Sequence, residues 1–333
     1  MATQTARRTL SLMEHCSVNF PVNGIIPIYK EAGVTSATLL NSLKKISKHR
    51  IKIGHGGTLD LDARGILIVG LGESCKDLTY FLHADKSYNA TCLFGRETDT
   101  LDISGDLLPE FKPFDHLTHE LIERQIQEKF VGDIVQTPPV YSAIRMGGRR
   151  MSDWAFKGAS IVPMARKLKV HDAHCTFFKA PIAEYEMNVC TGFYVRSYLT
   201  DIARSLDTYC YSIDIERTKV GPFSLEHCLR INEINDDSLF ETSMKTRRLL
   251  IDYINRNKDK LEEFQRQQSE RARRQRENLP NHVLKALVLE GDSPCSDELP
   301  RLKRKSHAFI KPRFRDNDKE RKQVNIQQEE VVI

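Results

Sequence analysis

The segment Lys52-Ile-Gly-His-Gly-Gly-Thr-Leu-Asp-Leu-Asp-Ala-Arg-Gly65 sets His55, Thr58, Asp60, Asp62 and Arg64 among four glycines. It runs directly into the apolar β-formers Ile66-Leu-Ile-Val-Gly-Leu71. Polar groups among glycines, followed by such a run, predict a loop mounted on the edge of a buried strand. Glycine tolerates positive φ and adds no bulk, so this loop can bring its backbone close to a ligand. Taken alone, an aspartate in a loop reads first as a turn or capping residue. The surrounding chain has to decide what Asp60 does.

Upstream, Asn23–Tyr29 reads as a first strand with Lys30 at its end. Thr35 and Ser36 offer a helix N-cap, and Leu39, Leu40, Leu43 and Ile46 recur behind them at helical spacing. Lys44, Lys45, Lys48, His49, Arg50 and Lys52 then lead into the glycine loop, a basic run suited either to solvent or to an anion. Downstream, Glu73–Phe81 reads as a short helix. In Ser87–Gly95, Tyr88, Ala90, Cys92 and Phe94 alternate onto one strand face. Arg96–Gly105 is polar and turn-forming, and a helix is predicted to start near Thr118. Two prolines make Gln136–Arg145 a rigid extended segment.

Gly147 and Gly148 predict a turn flanked by Arg145, Arg149 and Arg150. Tyr141, Trp154 and Phe156 interleave with these arginines and with Lys157, Arg166, Lys167 and Lys169. That mixture suits nucleic acid, where arginine meets phosphate and rings stack on bases; an ordinary basic surface has the same composition. Strands are predicted for Lys169–Phe178 and Glu184–Cys190. Thr191–Arg196 turns into a helix with Val195, Leu199, Ile202 and Leu206 on its apolar face. Ser212–Ile215 suggests another strand, and Arg217–Phe223 a basic turn. From about Met244 one amphipathic helix is predicted. A charged tail follows, carrying the cluster Arg301-Leu-Lys-Arg-Lys305.

The chain has 333 residues, 40% of them hydrophobic, enough for a substantial core, and a net charge of +5. No apolar run has the roughly 18 residues a membrane span needs. The eight cysteines form no CxxC pair. Cys92 and Cys190 lie in strand-like runs and read as buried free thiols of a reducing compartment. Neither a P-loop, an HExxH helix, a nucleophile elbow nor a metal-ligand spacing is present, which argues against a nucleotide-hydrolysing or zinc enzyme. The residues themselves describe a basic α/β protein suited to RNA.

At Gly54-His-Gly-Gly-Thr-Leu-Asp60 the sequence closely resembles the TruB family of tRNA pseudouridine synthases. The likeness continues through Ala63-Arg-Gly65, Asp85-Lys-Ser-Tyr88, Gly95 with Thr98-Asp-Thr100, Thr137-Pro-Pro139 with Tyr141-Ser-Ala143, and Gly192-Phe-Tyr-Val-Arg196. It spans roughly Gly24 to Arg230 in family order. The resemblance implies an α+β pseudouridine synthase fold: a mixed, mainly antiparallel central sheet flanked by helices and loops, with the active-site cleft across it. It also implies isomerisation of the T-loop uridine of tRNA (uridine-55 in tRNA numbering) to pseudouridine.

On this resemblance Asp60 is the nucleophile, attacking ribose C1′ or uracil C6; a carboxylate can form and release a covalent adduct. A buried Asp60 would need a cationic partner to stay ionised, and Arg196 matches the family's arginine. Tyr88 matches the tyrosine that packs on the target ring, and Tyr194 looks like a pocket wall. The target base must be flipped from its stack. His55 matches a residue used against the flipped nucleotides, with Thr58 beside it. Lys30, Lys86, Arg145, Arg166 and Arg217 are the candidates for holding the RNA backbone. No metal and no organic cofactor is implied.

Leu61 stands where proline is common in the family, and Asp62 adds a second acid. Positions two apart in an extended segment share a face, so Asp62 competes with Asp60; the register of Gly54, Ala63 and Gly65 favours Asp60. Glu31 and Ala165-Arg-Lys167 also depart from the family pattern. The implied organisation is a flexible N-terminal tail (1–22), a TruB-like catalytic domain (23–235), and a helical, then largely disordered charged extension (236–333). No PUA domain is recognised in that extension, as in the eukaryotic branch. The expected partner is the tRNA T-arm, with other RNAs bearing T-arm-like stem-loops as further candidates. No membrane and no obligatory protein partner is expected, and the chain is expected to be a monomer. The expected compartments are nucleus and cytoplasm; Arg7 and Arg8, with no acid before Glu14, leave a mitochondrial presequence as the lesser alternative. The rival reading is a non-catalytic tRNA-binding and refolding chaperone of the same fold.

Overall fold

The computed structural model describes residues 23–146, 149–158 and 161–277. The N-terminal tail, the Gly147–Gly148 turn and the charged tail beyond 277, with its Arg301–Lys305 cluster, lie outside the described residues. The strands are β1 (Gly24–Lys30), β2 (Ile53–His55), β3 (Arg64–Leu71), β4 (Lys86–Phe94), β5 (Gly132–Gln136), β6 (Arg145–Met146), β7 (Arg149–Arg150), β8 (Arg166–Lys179), β9 (Ile182–Val189), β10 (Cys210–Val220) and β11 (Phe223–Ser224). The helices are α1 (Ser36–Ile46), α2 (Leu78–Leu82), α3 (His119–Lys129), α4 (Met151–Ala155), α5 (Val195–Ser205) and α6 (Asp236–Glu277). The large sheet runs β1–β3–β10–β4–β9–β8–β5, with β2 beside β3 and β11 beside β10; β6 and β7 form a separate hairpin.

Pattern explains which strands lie where. The unbroken apolar run of β3 is buried on both faces. Leu67, Val69 and Leu71 pack with Leu39, Leu43 and Ile46 of α1. Ile66 and Ile68 pack the other way, with Phe81, Val220 and Phe223. Strand β4 alternates instead: Tyr88, Ala90, Cys92 and Phe94 face the core that α3 and α5 cover, and Asn89 faces out. Thr35 caps α1 by accepting from the Thr38 amide at 3.0 Å, and Thr118 caps α3 by accepting from the Leu121 amide at 3.1 Å.

All pairings in this sheet are antiparallel except one. Strands β3 and β10 run parallel, with Arg64 opposite Glu216 and Gly65 opposite Arg217. Gly65 has φ +105°, and a Cβ there would lie 2.3 Å from the Arg217 carbonyl oxygen. No side chain fits, and an L-residue resists that φ. The glycine that ends the opening loop is therefore what lets β3 and β10 meet.

Several expectations are corrected. Glu73–Phe81 is a 3₁₀ turn (Gly72–Lys76) followed by the short α2. Arg217 lies in β10, and the turn begins only at Gly221, because β10 continues well past Ile215. Cys190 is half-buried just beyond β9, whereas Cys92 is fully buried. The C-terminal helix begins at Asp236, ahead of Met244, and its first turns belong to the core. Leu239 is buried, and the Thr246 hydroxyl donates to the Ile25 carbonyl at 3.0 Å.

Replacing Gly65 with alanine should lower unfolding free energy by about 3 kcal/mol, combining overpacking with an unfavourable φ. The check is the urea midpoint of Gly65→Ala; an unchanged midpoint contradicts the close β3–β10 approach.

Candidate active site

The loop from Gly56 to Ala63 is held by its own carbonyl groups. Arg217, 2% exposed, donates from Nε to the Ile66 carbonyl at 2.8 Å, and from its two terminal nitrogens to those of Thr58 and Gly57 at 3.3 Å each. Lys30, fully buried, donates to the carbonyls of Val34 at 2.7 Å, Glu31 at 3.1 Å and Leu61 at 3.2 Å. Ser36, the first residue of α1, exchanges hydrogen bonds with the Leu59 backbone: its Oγ accepts from the amide at 3.1 Å and donates to the carbonyl at 3.2 Å. Four loop carbonyls, those of Gly57, Thr58, Leu59 and Leu61, are thus gripped from the sheet and from α1. Burial pushes Lys30 down to about 8, while the nearby charges of Asp60 and Asp62 pull it back up.

Lys86 behaves in the same way on the neighbouring strand. It is buried and donates to the carbonyls of Ala84 (2.6 Å), Phe81 (3.2 Å) and Leu82 (3.3 Å), closing the end of α2 two residues before Tyr88. Burial, with the Arg217 charge next, lowers it to about 7. Lys30, Lys86 and Arg217 were expected on the RNA backbone. Their charged ends point inward to main-chain carbonyls, so that expectation is corrected: these cations hold the protein's own loops.

With its backbone fixed, the loop presents Asp60 to the open. Its side chain is 45% exposed. Arg196, the second residue of α5, is 4% exposed and reaches it: Nε and one terminal nitrogen both lie 2.9 Å from Asp60 Oδ2. The same guanidinium donates to the Thr100 carbonyl (2.7 Å) and the Tyr141 carbonyl (3.0 Å), and lies 3.4 Å from Asp102 Oδ2. One planar fork therefore ties together the glycine loop, the 96–105 turn and the segment after the two prolines, a task its fixed donor geometry suits.

Asp60 lies where two spaces meet. One is a cleft of about 670 Å³ lined by His55, Thr58, Asp62, Tyr141, Arg145, Arg150, Phe156 and Arg196 among others. The second is a small pocket of about 80 Å³ bounded by Thr58, Tyr88, Phe193, Tyr194 and Ile215. Asp60 and Thr58 line both; Asp62 lines the cleft but not the small pocket. That difference, with the Arg196 ion pair, separates the two acids that alternation alone placed on one face.

The remaining expected residues fall around these spaces. Tyr88 is 8% exposed at the pocket wall. Tyr194 is held at the mouth of α5 by a reciprocal pair, in which the Gln136 side chain donates to the Tyr194 carbonyl at 3.0 Å and accepts from its amide at 2.9 Å. Burial raises the Tyr194 hydroxyl pKa above its ordinary value. His55 is half-buried, and burial with the Arg217 charge lowers its pKa, which keeps the ring neutral near pH 7. Arg145 and Arg166 are exposed, and the Tyr141 and Phe156 rings stand edge to face at 5.4 Å.

Two positioning residues escaped the sequence reading. Asp102 anchors the 96–105 turn by accepting from the Thr100 hydroxyl (2.7 Å) and the Ser104 amide (3.0 Å), and its other oxygen faces Arg196. Gln136 is 1% exposed and locks Tyr194. Their available signals were proximity to Thr98-Asp-Thr100 and to Thr137-Pro-Pro139.

This fold and site define an α+β protein whose acid–arginine pair joins an open cleft, lined by both arginines and aspartates, to a small tyrosine-lined pocket. Residues 44–195 match the family described as TruB family pseudouridylate synthase (N terminal domain). The chain is similar to the Homo sapiens protein named Pseudouridylate synthase TRUB1, 39% identical over 221 residues, 62% of this chain and 63% of that protein. It is also similar to tRNA pseudouridine synthase B of Clostridium tetani, 34% identical over 232 residues, 70% of this chain and 79% of that protein. Among solved structures it is similar to a chain of a Cbf5-Nop10-Gar1 complex, 24% identical, TM-score 0.48, covering 66% of this chain and 54% of that one. The chain belongs to the TruB family. It spans less than two thirds of the length of its mammalian TRUB1 relatives, at 63% and 66%.

Removing the Arg217 guanidinium should leave the Gly57, Thr58 and Ile66 carbonyls without their donor. At about 1–3 kcal/mol for a buried unsatisfied group, Arg217→Met should lower unfolding free energy by at least about 3 kcal/mol. A denaturant curve matching the wild type would show that the clamp does not hold the loop.

Proposed function

We propose that this chain is a tRNA pseudouridine synthase acting on the T-loop uridine, with Asp60 as its nucleophile. The observation that carries this reading is the position of Asp60: one side chain borders both the open cleft and the small pocket, with Arg196 bonded to it. RNA fits the cleft, whose Arg145 and Arg150 suit phosphate and whose Tyr141 and Phe156 suit bases. A single flipped base fits the pocket between Tyr88 and Tyr194.

The reaction conserves atoms. The bond from N1 to ribose C1′ breaks, the uracil turns, a bond from C5 to C1′ forms, and the C5 proton moves to N1 by exchange with solvent. Asp60 attacks ribose C1′ or uracil C6 and is later released. Arg196 supplies the positive charge beside its carboxylate and fixes which oxygen points into the pocket. Holding the reacting group in place is a large part of what such a site contributes. Tyr88 packs on the ring and acts in proton removal from C5. His55, neutral and at the cleft wall, contacts the nucleotides displaced with the target. Arg145 and Arg166, both exposed, remain as contacts to the RNA backbone. The family relatives named as tRNA pseudouridine synthases support the same reading.

Purified protein incubated with unmodified tRNA should convert one T-loop uridine, read by mass spectrometry. Asp60→Ala should abolish conversion while tRNA binding stays within about threefold of wild type, and Asp62→Asn should keep most of the activity. Arg196→Lys keeps the charge but cannot span Asp60, Thr100 and Tyr141 at once, and should lower the single-turnover rate about 100-fold. An Asp60→Ala protein that still modified tRNA at the wild-type rate would overturn the assignment. Binding without any conversion by the wild type would leave the chaperone reading.

A further inference from the structure

The basic run ahead of the glycine loop is not used by the site. Residues 32–59 contain no aspartate or glutamate. Within them, Lys45, Lys48, His49, Arg50 and Lys52 are all exposed, and Lys44 is half-buried. A solvated helix end accounts for part of this, since Lys44 and Lys45 lie in the last turn of α1, where cations face the negative end of the helix dipole. It does not account for Lys48 to Lys52, which lie beyond the helix.

Their backbone is unusual as well. Lys48 and His49 both have left-handed φ, 53° and 55°, although neither is glycine. Consecutive L-residues in that region are strained, and such strain clusters at functional segments. The strained turn is closed by the Lys48 amide on the Lys45 carbonyl (2.9 Å) and the His49 amide on the Lys44 carbonyl (2.8 Å). It brings the chain back so that Lys52 and Lys44 share a neighbourhood: both charges act on the Cys75 thiol. Glu73, the acid that feels Lys52, is already hydrogen-bonded to Lys76. Among the described residues, Lys48, Arg50 and Lys52 make no ion pair.

The patch is also aligned with the cleft. Thr35, Ser36 and Ala37 at the start of α1, and His55 at the end of β2, line the cleft. The basic residues lie at the opposite ends of these same two elements. An eleven-residue helix is about 16 Å long, and three residues of extended chain from Lys52 to His55 reach about 10 Å. A nucleic-acid helix advances roughly 3 Å per base pair, so the patch stands about three to five base pairs from the cleft wall.

We propose that Lys48, Arg50 and Lys52 form a phosphate-binding flank for the RNA duplex that adjoins the target loop. The flank adds affinity and register without touching the reacting nucleotide. It rests on the reading of the cleft as an RNA site. An unstructured loop RNA bound in the cleft would not reach it.

The test compares wild type with the triple variant Lys48→Gln, Arg50→Gln, Lys52→Gln on two RNAs. One is a stem-loop with an intact duplex; the other carries the same loop sequence between single strands. The triple variant should bind the stem-loop at least tenfold more weakly. Its plot of log Kd against log salt should be shallower by about two to three, near one per lost phosphate contact. Both proteins should bind the duplex-free RNA alike. The charge-keeping variant Lys48→Arg, Lys52→Arg should bind the stem-loop as wild type does, and all variants should melt with the wild type. Unchanged stem-loop affinity and salt slope overturn the proposal, as does an equal loss on both RNAs, which would place the patch on the loop strand itself. Because the readout is binding, a wild type that fails to make pseudouridine but shows the selective loss would refute the enzymatic reading and leave the flank standing.

Discussion

Two buried cations hold the glycine loop by its main chain, and the rest of the site depends on that grip. Arg217 and Lys30 between them engage the carbonyls of Gly57, Thr58, Leu61 and Ile66. Asp60 is left 45% exposed on this loop, so the loop does not gain its rigidity by burying that residue. Charge-assisted hydrogen bonds to the backbone provide rigidity from behind. The arrangement also explains why these cations tolerate burial. Carbonyl dipoles converge on each head, and for Lys30 the charges of Asp60 and Asp62 add to them. The parallel meeting of β3 and β10 at Gly65 is what delivers Arg217 to this position.

A second constraint acts from the front. Arg196 is fixed by helix α5, by the Thr100 and Tyr141 carbonyls and by Asp102, and only then meets Asp60. The Gln136 pair fixes Tyr194, two residues earlier, so pocket wall and arginine move together. Four segments distant in the chain thus converge on one carboxylate. Preorganisation of this kind means little has to reorganise when a substrate arrives.

Much of this was legible in the chain, for stated reasons. The apolar run Ile66–Leu71 and the alternation in β4 encode burial directly, and Thr35 and Thr118 announce helix starts through their hydroxyls. The family resemblance put Asp60, Tyr88 and Arg196 together; the geometry pairs Arg196 with Asp60 and places Tyr88 beside Asp60 at the small pocket, which Arg196 itself does not line. Charge was the misleading signal. Lys30, Lys86 and Arg217 look alike in sequence to Arg145 and Arg166, because a side chain's charge does not say whether carbonyls or solvent surround it. Arg217 in particular was read as a turn residue, since Gly221 and Pro222 mark a turn but not where the strand before it ends. Asp102 and Gln136 stayed hidden because each acts through a partner far away in the chain, Arg196 for the first and Tyr194, 58 residues on, for the second.

The central claim is that Asp60, rather than Asp62, faces the nucleotide in the pocket between Tyr88 and Tyr194. It is tested most directly by a crystal structure of Asp60→Asn bound to a stem-loop RNA. The account expects the target base flipped into that pocket, with its C1′ or C6 beside the residue 60 side chain and Arg196 still bonded to the Thr100 and Tyr141 carbonyls. A base left in its stack, or one whose reacting carbon lies beside Asp62, would contradict it.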